Sequence, residues 1–217
     1  MQAKNVIITG ANGMIGGLIL QMCLQSDQVN HVTSISRRGV GFTNPKLTEV
    51  LHDDFLNFDS VLDHFKNQDI CFFCLGVYTG AVPAAEFKKI TVDYTKSFAD
   101  TLSANSNHVT FCFLSGDGAD QSEKSPLMFA KQKGIAENIL IRLNFDHLHI
   151  FRPGYIYPVT SRSEPNFMYS FMRVIYPIAK WIYPNMGCTS LQLAKKMLDT
   201  AILGSEKLIF TNRDIRL

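Results

Sequence analysis

The sequence predicts an α/β fold: a doubly wound parallel sheet with a small C-terminal lobe, forming one domain over residues 1–217. Two observations support this prediction. Apolar runs with strand periodicity alternate with segments of helical periodicity, and the joins between them are short. The first apolar run ends in closely spaced glycines that open a helix. A chain of 217 residues can build one substantial core but not two full domains.

Composition argues against several classes of protein. With 46% apolar and 18% charged residues, the chain is typical of a folded globular protein. Its formal net charge is +2, and its longest basic run is the pair Arg37 and Arg38, so no nucleic-acid partner is expected. No apolar run approaches the roughly 20 residues of a membrane-spanning helix, and the first residues lack the pattern of a secretory signal.

The cysteines and histidines indicate no disulfides and no metal. Five cysteines at irregular spacings do not make a disulfide framework, which favours a cytoplasmic location. Cys71 and Cys74 form a C-x-x-C inside an apolar strand, where core packing explains them better than redox chemistry. His147 and His149 share one face of a predicted strand, but no third ligand stands at metal-site spacing.

The strongest functional motif lies at Asn5–Gly17. A buried strand is followed at once by Gly10, Gly13 and Gly16, and then by a helix that is predicted to end near Ser26. Glycines at these positions permit a tight turn, close approach of a pyrophosphate and close helix packing, which is the pattern of a dinucleotide site. A glycine turn without a ligand is the alternative. The predicted cofactor contacts are Gly10, Asn12, Gly13, Met14, Ile15 and Gly16.

The second predicted strand, His31–Ser36, ends in Arg37 and Arg38. At this place an acidic residue holds the ribose 2′-hydroxyl of NAD, whereas an arginine accommodates the 2′-phosphate of NADP. Because no carboxylate stands nearby in the sequence, NADP(H) is favoured over NAD as the cofactor. The alternative is that both arginines only make a turn soluble.

The third predicted strand, Leu47–His52, leads into two carboxylates, Asp53 and Asp54, and then into Phe55. A carboxylate followed by an apolar side chain suits the adenine end of the cofactor site, with Asp54 accepting from the amino group and Phe55 near the ring. Helix capping by the carboxylate is the alternative.

The middle of the chain continues the alternation of helices and strands. Residues 58–67 predict a short helix and Asp69–Leu75 a buried strand, whose exit places Leu75 and Gly76 beside the cofactor. Helical spacing over Ala84–Asn105 predicts a long crossover helix.

Two candidate catalytic residues follow. The fifth predicted strand, Val109–Leu114, delivers Ser115 at its carboxyl end, where an open α/β sheet binds its ligands. A helix over Ser125–Leu143, with a proline in its first turn, carries Phe129 and Lys133 on one face.

The C-terminal part differs in composition. A sixth strand, His147–Arg152, ends at Pro153, and the chain closes with a helix over Ser190–Leu203 and a strand over Lys207–Phe210. Between them, residues 155–190 predict a small lobe that could be a substrate wall, a homodimer face or plain packing. Its aromatic residues are Tyr155, Tyr157, Phe167, Tyr169, Phe171, Tyr176, Trp181 and Tyr183.

Taken together, these features resemble the short-chain dehydrogenase/reductase superfamily, in its extended or atypical branch, which has a Rossmann fold. The matching features are TGANGMIG near the start, an arginine after strand two, DDF after strand three, a serine after strand five, a lysine in the next helix and RPG after strand six. The runs FLSGDGAD, FAKQKG and FRPG are similar to the oxidoreductases related to the Tat-interacting protein.

This resemblance implies a Ser/Tyr/Lys site. The tyrosine donates a proton to a carbonyl oxygen while NADPH delivers hydride, the lysine lowers the tyrosine pKa and holds the ribose, and the serine polarises the carbonyl. Lys133 takes the lysine position and Ser115 the serine position. Phe129 stands in place of the tyrosine and cannot donate a proton. Gly116 and Asp117 follow where the superfamily has further hydroxyl residues.

Two functions of different classes follow from this pattern. The first is an NADP(H)-dependent oxidoreductase that acts on a small organic substrate without the tyrosine, with Lys133, or else Tyr155 or Tyr157, in its place. The second is a catalytically inactive NADP(H)-binding sensor or interaction protein that docks a partner through its aromatic lobe. A nucleotide-sugar epimerase is disfavoured because the chain is short and Phe129 replaces the tyrosine on which epimerases rely.

Overall fold

A computed structural model of the chain describes residues 3–143, 145–160, 176 and 184–217. The strands are β1 Lys4–Thr9, β2 Val29–Ser36, β3 Leu47–Leu51, β4 Ile70–Phe73, β5 Thr110–Leu114, β6 His147–Arg152, β7 Tyr155–Tyr157, β8 Gly187–Thr189 and β9 Ile209–Thr211. The α-helices are α1 Met14–Gln25, α2 Ala84–Lys88, α3 Tyr94–Asn105, α4 Met128–Arg142, α5 Ser190–Leu203 and α6 Asn212–Arg216. Two 3-10 helices span Asp59–Phe65 and Pro184–Met186, and a π-helical turn, Lys89–Asp93, joins α2 to α3.

Seven strands form one sheet in the order β3-β2-β1-β4-β5-β6-β9, and every neighbouring pair is parallel. The predicted doubly wound parallel sheet is therefore confirmed. The strand order reverses between β1 and β4, since the chain builds outward from β1 to β3 and then returns to the other side of β1. Open α/β sheets bind their ligands in the crevice at this reversal, outside the carboxyl ends of the strands.

The sheet is buried on both faces, which explains why its strands are nearly continuous apolar runs. In β1, Val6 and Ile8 point into a core beneath α1 and α5, whereas Ile7 points into a second core on the opposite face. That second core is dominated by phenylalanines, and rings such as Phe73 and Phe98 meet edge to face at 5.4 Å. The two cores hold the carboxyl ends of the strands at one rigid edge.

The predicted start of helix α4 is wrong. The sequence places it at Ser125, but α4 begins three residues later. The carboxylate of Asp120 accepts hydrogen bonds from the backbone N–H groups of Ser122 and Ser125 at 2.9 and 2.7 Å. These bonds hold the segment in a turn, so Pro126 precedes the helix instead of occupying its first position.

Other elements differ from their predictions in type or length. Residues 58–67 contain a 3-10 helix, and a π-helical turn interrupts the helix predicted over Ala84–Asn105. The strand predicted over Asp69–Leu75 is shorter, because only Ile70–Phe73 pair with β1. The closing strand is β9 instead of Lys207–Phe210, since it pairs with β6 only from Ile209 onward. The helix over Ser190–Leu203 is as predicted, and Gly204 caps its C-terminal end.

Much of the predicted C-terminal lobe, including Phe167, Tyr169, Phe171, Trp181 and Tyr183, lies outside the described residues. In the described part, β7 and β8 form a separate two-stranded parallel sheet. The buried ring of Tyr176 packs against Tyr155 and Tyr157, with ring centroids 5.4 and 5.2 Å away. These three tyrosines therefore serve packing.

The described cysteines and histidines make no disulfide or metal site. Cys71 and Cys74 are free thiols whose pKa values burial raises, well above the ordinary range for Cys71 and to about 12 for Cys74. Such thiols are poor nucleophiles, in agreement with core packing. Within the described ranges, no cluster of three metal-ligating side chains is found, and no helix is both long and apolar enough to cross a bilayer.

Gly10 is expected to be essential for stability. Its φ is +78°, and a Cβ there would lie 2.6 Å from the carbonyl carbon and oxygen of Cys74. Gly10→Ala should lower the free energy of unfolding by about 2–5 kcal/mol, from left-handed backbone strain plus overpacking. Gly80 has φ +83° and open space around it, so Gly80→Ala should cost only the strain, about 1–2 kcal/mol. Urea unfolding measures both, and equal losses would contradict the packing role of Gly10.

Candidate active site

The glycine loop forms a tight cradle at the start of α1. The Gly13 N–H donates to the Gly10 carbonyl at 2.8 Å, and a Cβ on Gly16 would lie only 2.2 Å from that same oxygen. No side chain caps α1, so the N–H groups of its first turn, at Met14 and Ile15, are available to an anion. The positive end of this helix thus faces the crevice where the strand order reverses.

The exit of β2 is tied to this loop. The Asn12 side-chain amide donates to the Arg38 carbonyl at 2.6 Å, and the Ser36 hydroxyl donates to the same oxygen at 2.8 Å. The side chains of Arg37 and Arg38 are both exposed. The backbone that carries these two arginines is therefore fixed beside the glycine cradle, at the place that the sequence assigned to the cofactor ribose.

A carboxylate that the sequence pattern did not predict lies at the same edge. Glu49 in β3 accepts a hydrogen bond from the Val40 N–H at 2.6 Å, just beyond Arg38. Glu49 pairs with Ser34 of β2 across the sheet, so its position depends on strand register and not on distance along the chain. This edge therefore presents two arginines and one carboxylate.

Asp54 and Phe55 occupy different environments. Asp54 is exposed, and its carboxylate accepts from the Leu56 N–H at 3.0 Å, as in a capped turn. The Phe55 ring is only 2% exposed and packs against the rings of Phe58 and Tyr94, each with a centroid distance of 5.6 Å. The Phe55 ring therefore belongs to the core, and its contact with an adenine ring stays a prediction.

The exit of β4 lies directly against the glycine loop. A Cβ on Gly10 would be 2.9 Å from the backbone nitrogen of Leu75, which shows how closely the two segments approach. Leu75 is half-buried, and Gly76 is exposed with open space where a side chain would stand. Both residues thus lie beside the glycine loop, and their contact with a cofactor stays a prediction.

Lys133 is the buried cation of the site. It is 8% exposed, its Nζ donates to the Leu114 carbonyl at 2.9 Å, and it lies 4.9 Å from the centre of the Phe113 ring. Burial lowers the pKa of Lys133 to about 8, although the Glu137 and Cys74 charges act in the opposite direction. A lysine with this pKa can release or accept a proton near neutral pH.

The Ser115 hydroxyl donates its hydrogen bond inside the protein. Ser115 is held by its backbone N–H, which donates to the Phe151 carbonyl at 2.9 Å, and its Oγ donates to Glu137 at 2.5 Å. Glu137 is fully buried and paired with Arg152 of β6. Neither partner was predicted from the sequence, although Glu137 follows Lys133 by one helical turn and Arg152 immediately precedes Pro153. The Pro153 carbonyl in turn accepts from the Asp117 N–H at 2.8 Å.

The two departures from the superfamily pattern contact each other. A Cβ on Gly116 would lie 2.5 Å from Cζ of Phe129, the ring atom that would carry a tyrosine hydroxyl. The Phe129 ring also packs near the buried Phe87, with centroids 6.5 Å apart. The ring is therefore seated against the backbone that follows β5, and the absence of a side chain at Gly116 makes room for it.

This contact predicts energetic coupling between positions 116 and 129. Gly116→Ala should destabilise the protein by about 1–3 kcal/mol, because the new methyl group overlaps the Phe129 ring. In a Phe129→Leu background, which lacks Cζ, the same change should cost less than about 1 kcal/mol. Chemical denaturation of the wild type, the two single variants and the double variant gives the coupling energy. Additive losses of unfolding free energy would contradict the contact between positions 116 and 129.

Sheet order and glycine cradle define the class: an α/β protein with a doubly wound, Rossmann-like parallel sheet. No protein-family model matches the chain. Solved structures with the same fold include a short chain dehydrogenase family protein from Francisella tularensis, with TM-score 0.67, 15% identity and 98% of each chain covered. Another is the Bordetella bronchiseptica enzyme WbmF in complex with NAD+, with TM-score 0.71, 11% identity, and 96% of this chain and 72% of that one covered.

Curated relatives give the family. Protein HTATIP2 of Rattus norvegicus is 33% identical over 168 residues, which cover 76% of this chain and 68% of that protein. Protein FMP52, mitochondrial, of Candida albicans is 31% identical over 155 residues, which cover 69% of this chain and 66% of that protein. The chain belongs to the HTATIP2 family. The matched region spans about two thirds of the length of each relative.

Proposed function

We propose that this chain is an NADP(H)-dependent oxidoreductase that acts on a small organic substrate, with Lys133 as the proton donor in place of the missing tyrosine. The observation that carries this proposal is the burial of Lys133 at the carboxyl end of β5 with a pKa of about 8. Burying an amine costs free energy, and such lysines are typical of catalytic sites.

The glycine cradle fits a dinucleotide. Any side chain at Gly10 or Gly16 would overlap backbone atoms, so a flat surface of N–H groups remains open to a pyrophosphate. The residues that would hold the cofactor are Gly10, Asn12, Gly13, Met14, Ile15, Gly16, Arg37, Arg38, Asp54, Leu75, Gly76, Lys133 and Pro153. When bound, the nicotinamide supplies or accepts a hydride.

Lys133 supplies the proton in this proposal. One of its three N–H bonds is used by the Leu114 carbonyl, which leaves two that can donate to a substrate atom on which negative charge develops. A pKa near the working pH suits a general acid, because the group then holds a proton and also releases it. Phe129 contributes an apolar wall that excludes water.

Selectivity for NADP(H) over NAD(H) is proposed to come from the two arginines at the β2 exit. Exposed guanidinium groups at Arg37 and Arg38 suit a 2′-phosphate, which accepts paired hydrogen bonds from them. Glu49 already accepts from the Val40 N–H. One oxygen of its carboxylate is therefore already used within the protein.

A second candidate function is an NADP(H)-binding sensor without catalysis. Two observations favour it: Phe129 cannot donate a proton, and the Ser115 hydroxyl already donates to Glu137. In a sensor, Lys133 would only contact the cofactor ribose.

Phe129→Tyr discriminates between the two functions. NADPH oxidation is followed with a panel of ketones, quinones and conjugated alkenes for the wild type, Phe129→Tyr and Lys133→Met. The enzyme proposal expects wild-type turnover of at least one compound, loss in Lys133→Met, and a gain in ketone reduction for Phe129→Tyr that approaches the 10²–10⁴-fold typical of an added general acid. NADPH binding with no turnover by either the wild type or the tyrosine variant supports the sensor.

A further inference from the structure

A group of four polar side chains meets where the carboxyl ends of β5 and β6 face helix α4. It is here called the Glu137 cluster and consists of Ser115, Gln121, Glu137 and Arg152. The Glu137 carboxylate is fully buried, and both of its oxygens are occupied. Oε1 accepts from Ser115 Oγ at 2.5 Å and from Arg152 Nε at 2.9 Å. Oε2 accepts from Gln121 Nε2 at 2.8 Å and from Arg152 Nη2. Four donors therefore converge on one carboxylate.

The proton of the Ser115 hydroxyl is committed by this arrangement. A serine hydroxyl has one hydrogen and two acceptor lone pairs. A carboxylate that accepts two N–H bonds from the planar Arg152 guanidinium is ionised and has no proton to return, so the hydrogen between Ser115 and Glu137 belongs to the serine. With its hydrogen used, the Ser115 Oγ can only accept further hydrogen bonds, through its two lone pairs.

We infer that Ser115 is a hydrogen-bond acceptor in this active site, and that Glu137 and Arg152 are positioning residues that impose this role. A bare carbonyl oxygen is itself an acceptor and gains nothing from such a group. The site therefore selects compounds that present a donor at this place, namely a hydroxyl or an amine N–H. This inference rests on the proposed function, because it assumes that a substrate binds beside Ser115.

The direction of the Ser115 hydrogen bond can be measured without any ligand. In NMR spectra of protein labelled with ¹³C-serine, the Ser115 hydroxyl proton should exchange slowly with water and show cross-relaxation with the Glu137 side chain. Ser122 is the matched control, since its hydroxyl donates to the Asp120 carboxylate at 2.6 Å but is exposed. A Ser115 hydroxyl proton that exchanges as fast as that of Ser122 would overturn the assignment.

The selection of donors is tested with matched probes of the same shape. Binding of cyclohexanol and cyclohexanone, and of benzyl alcohol and benzaldehyde, is compared by ligand-observed NMR on the NADP-saturated chain. Each alcohol should bind two- to tenfold more tightly than its carbonyl partner, the ratio that corresponds to one net hydrogen bond. Equal binding, tighter binding of the carbonyl compounds or no binding of either alcohol would contradict the inference.

Variants separate this specific role from a structural one. Glu137→Gln places an amide that can donate to Ser115, which frees the hydroxyl to donate, so the preference should shift towards the carbonyl probes. Glu123→Gln is the matched control, since Glu123 also lies near an arginine, Arg142, at 3.7 Å but outside the cluster. If Glu137→Gln fails to fold, Ser115→Ala is used instead, because it keeps the Glu137–Arg152 pair. Ser115→Ala should abolish the preference for the alcohol probes, whereas Ser115→Thr should retain it.

The two proposals can fail independently. If no dinucleotide binds, the proposed oxidoreductase function is wrong, while proton exchange at Ser115 in the unliganded chain still decides the direction of the hydrogen bond. If NADP binds but Ser115→Ala leaves the ratio of alcohol to carbonyl binding unchanged, the role of Ser115 as an acceptor for substrate is wrong.

Discussion

Replacing Lys133 with methionine is expected to lower kcat/KM for NADPH oxidation by about 10²–10⁴, the contribution typical of a positioned general acid. Methionine keeps the length and the apolar stem that packs over the Phe113 ring, but it cannot donate a proton. Steady-state kinetics with the compound identified in the panel gives the effect. Lys131→Met is the control, because this exposed lysine lies on the same helix and should leave activity unchanged.

The pH dependence of activity follows from the same lysine. Its pKa is lowered to about 8, chiefly by burial, and the protonated form is the acid. The value of kcat/KM is therefore expected to be constant below about pH 8 and to fall tenfold per pH unit above it. Activity that rises with pH through this range would show that Lys133 is not the acid.

Stability should change with pH in the opposite direction. The ordinary lysine pKa is 10.5, so between about pH 8 and 10.5 the unfolded chain binds the proton that folded Lys133 has released. The free energy of unfolding therefore rises with pH across this window, by about 3 kcal/mol for this residue. Urea unfolding at several pH values should show this rise in the wild type and its loss in Lys133→Met.

Replacing Gly16 with alanine is expected to weaken NADPH binding by about 10- to 100-fold. The added methyl group overlaps atoms of the glycine cradle, and restoring the binding geometry then costs about 1–3 kcal/mol. The new Cβ would lie 2.2 Å from the oxygen and 2.7 Å from the carbon of the Gly10 carbonyl, so the loop has to move. Gly17→Ala is a matched neighbour, because its Cβ would be 3.1 Å from the nearest atom, the Ala11 carbonyl oxygen. Calorimetry should show a much smaller loss of NADPH affinity for Gly17→Ala. Wild-type affinity in a folded Gly16→Ala protein would contradict cofactor binding by the glycine cradle.

The parts of the fold that depend on local patterns were predictable from the sequence. Strand β1 was evident because Val6 to Ile8 face two cores and must all be apolar. Gly10 and Gly16 were evident as constrained positions because only glycine fits a left-handed turn or a gap without room for a Cβ.

Features that depend on contacts between distant elements were not predictable. Glu49 reaches the β2 exit only because β3 pairs with β2 in a particular register, and no local pattern encodes register. Ser115 and Glu137 meet across the junction of β5 and α4, so the hydrogen bond that changes the role of the serine could not be inferred from spacing. The start of α4 was missed because the Asp120 carboxylate holds the preceding turn.

The most direct test of the account is calorimetric binding of NADPH, NADP and NADH to the wild type and to Arg37→Ala, with Arg142→Ala as an exposed arginine on α4 outside the site. NADPH and NADP are expected to bind more tightly than NADH. Arg37→Ala should remove about 10-fold or more of the affinity for the two phosphorylated cofactors, since a charge-assisted hydrogen bond is lost, and Arg142→Ala should not. No binding of any dinucleotide, or equal binding of NADH and NADPH that Arg37→Ala leaves unchanged, would contradict the proposed NADP(H) site.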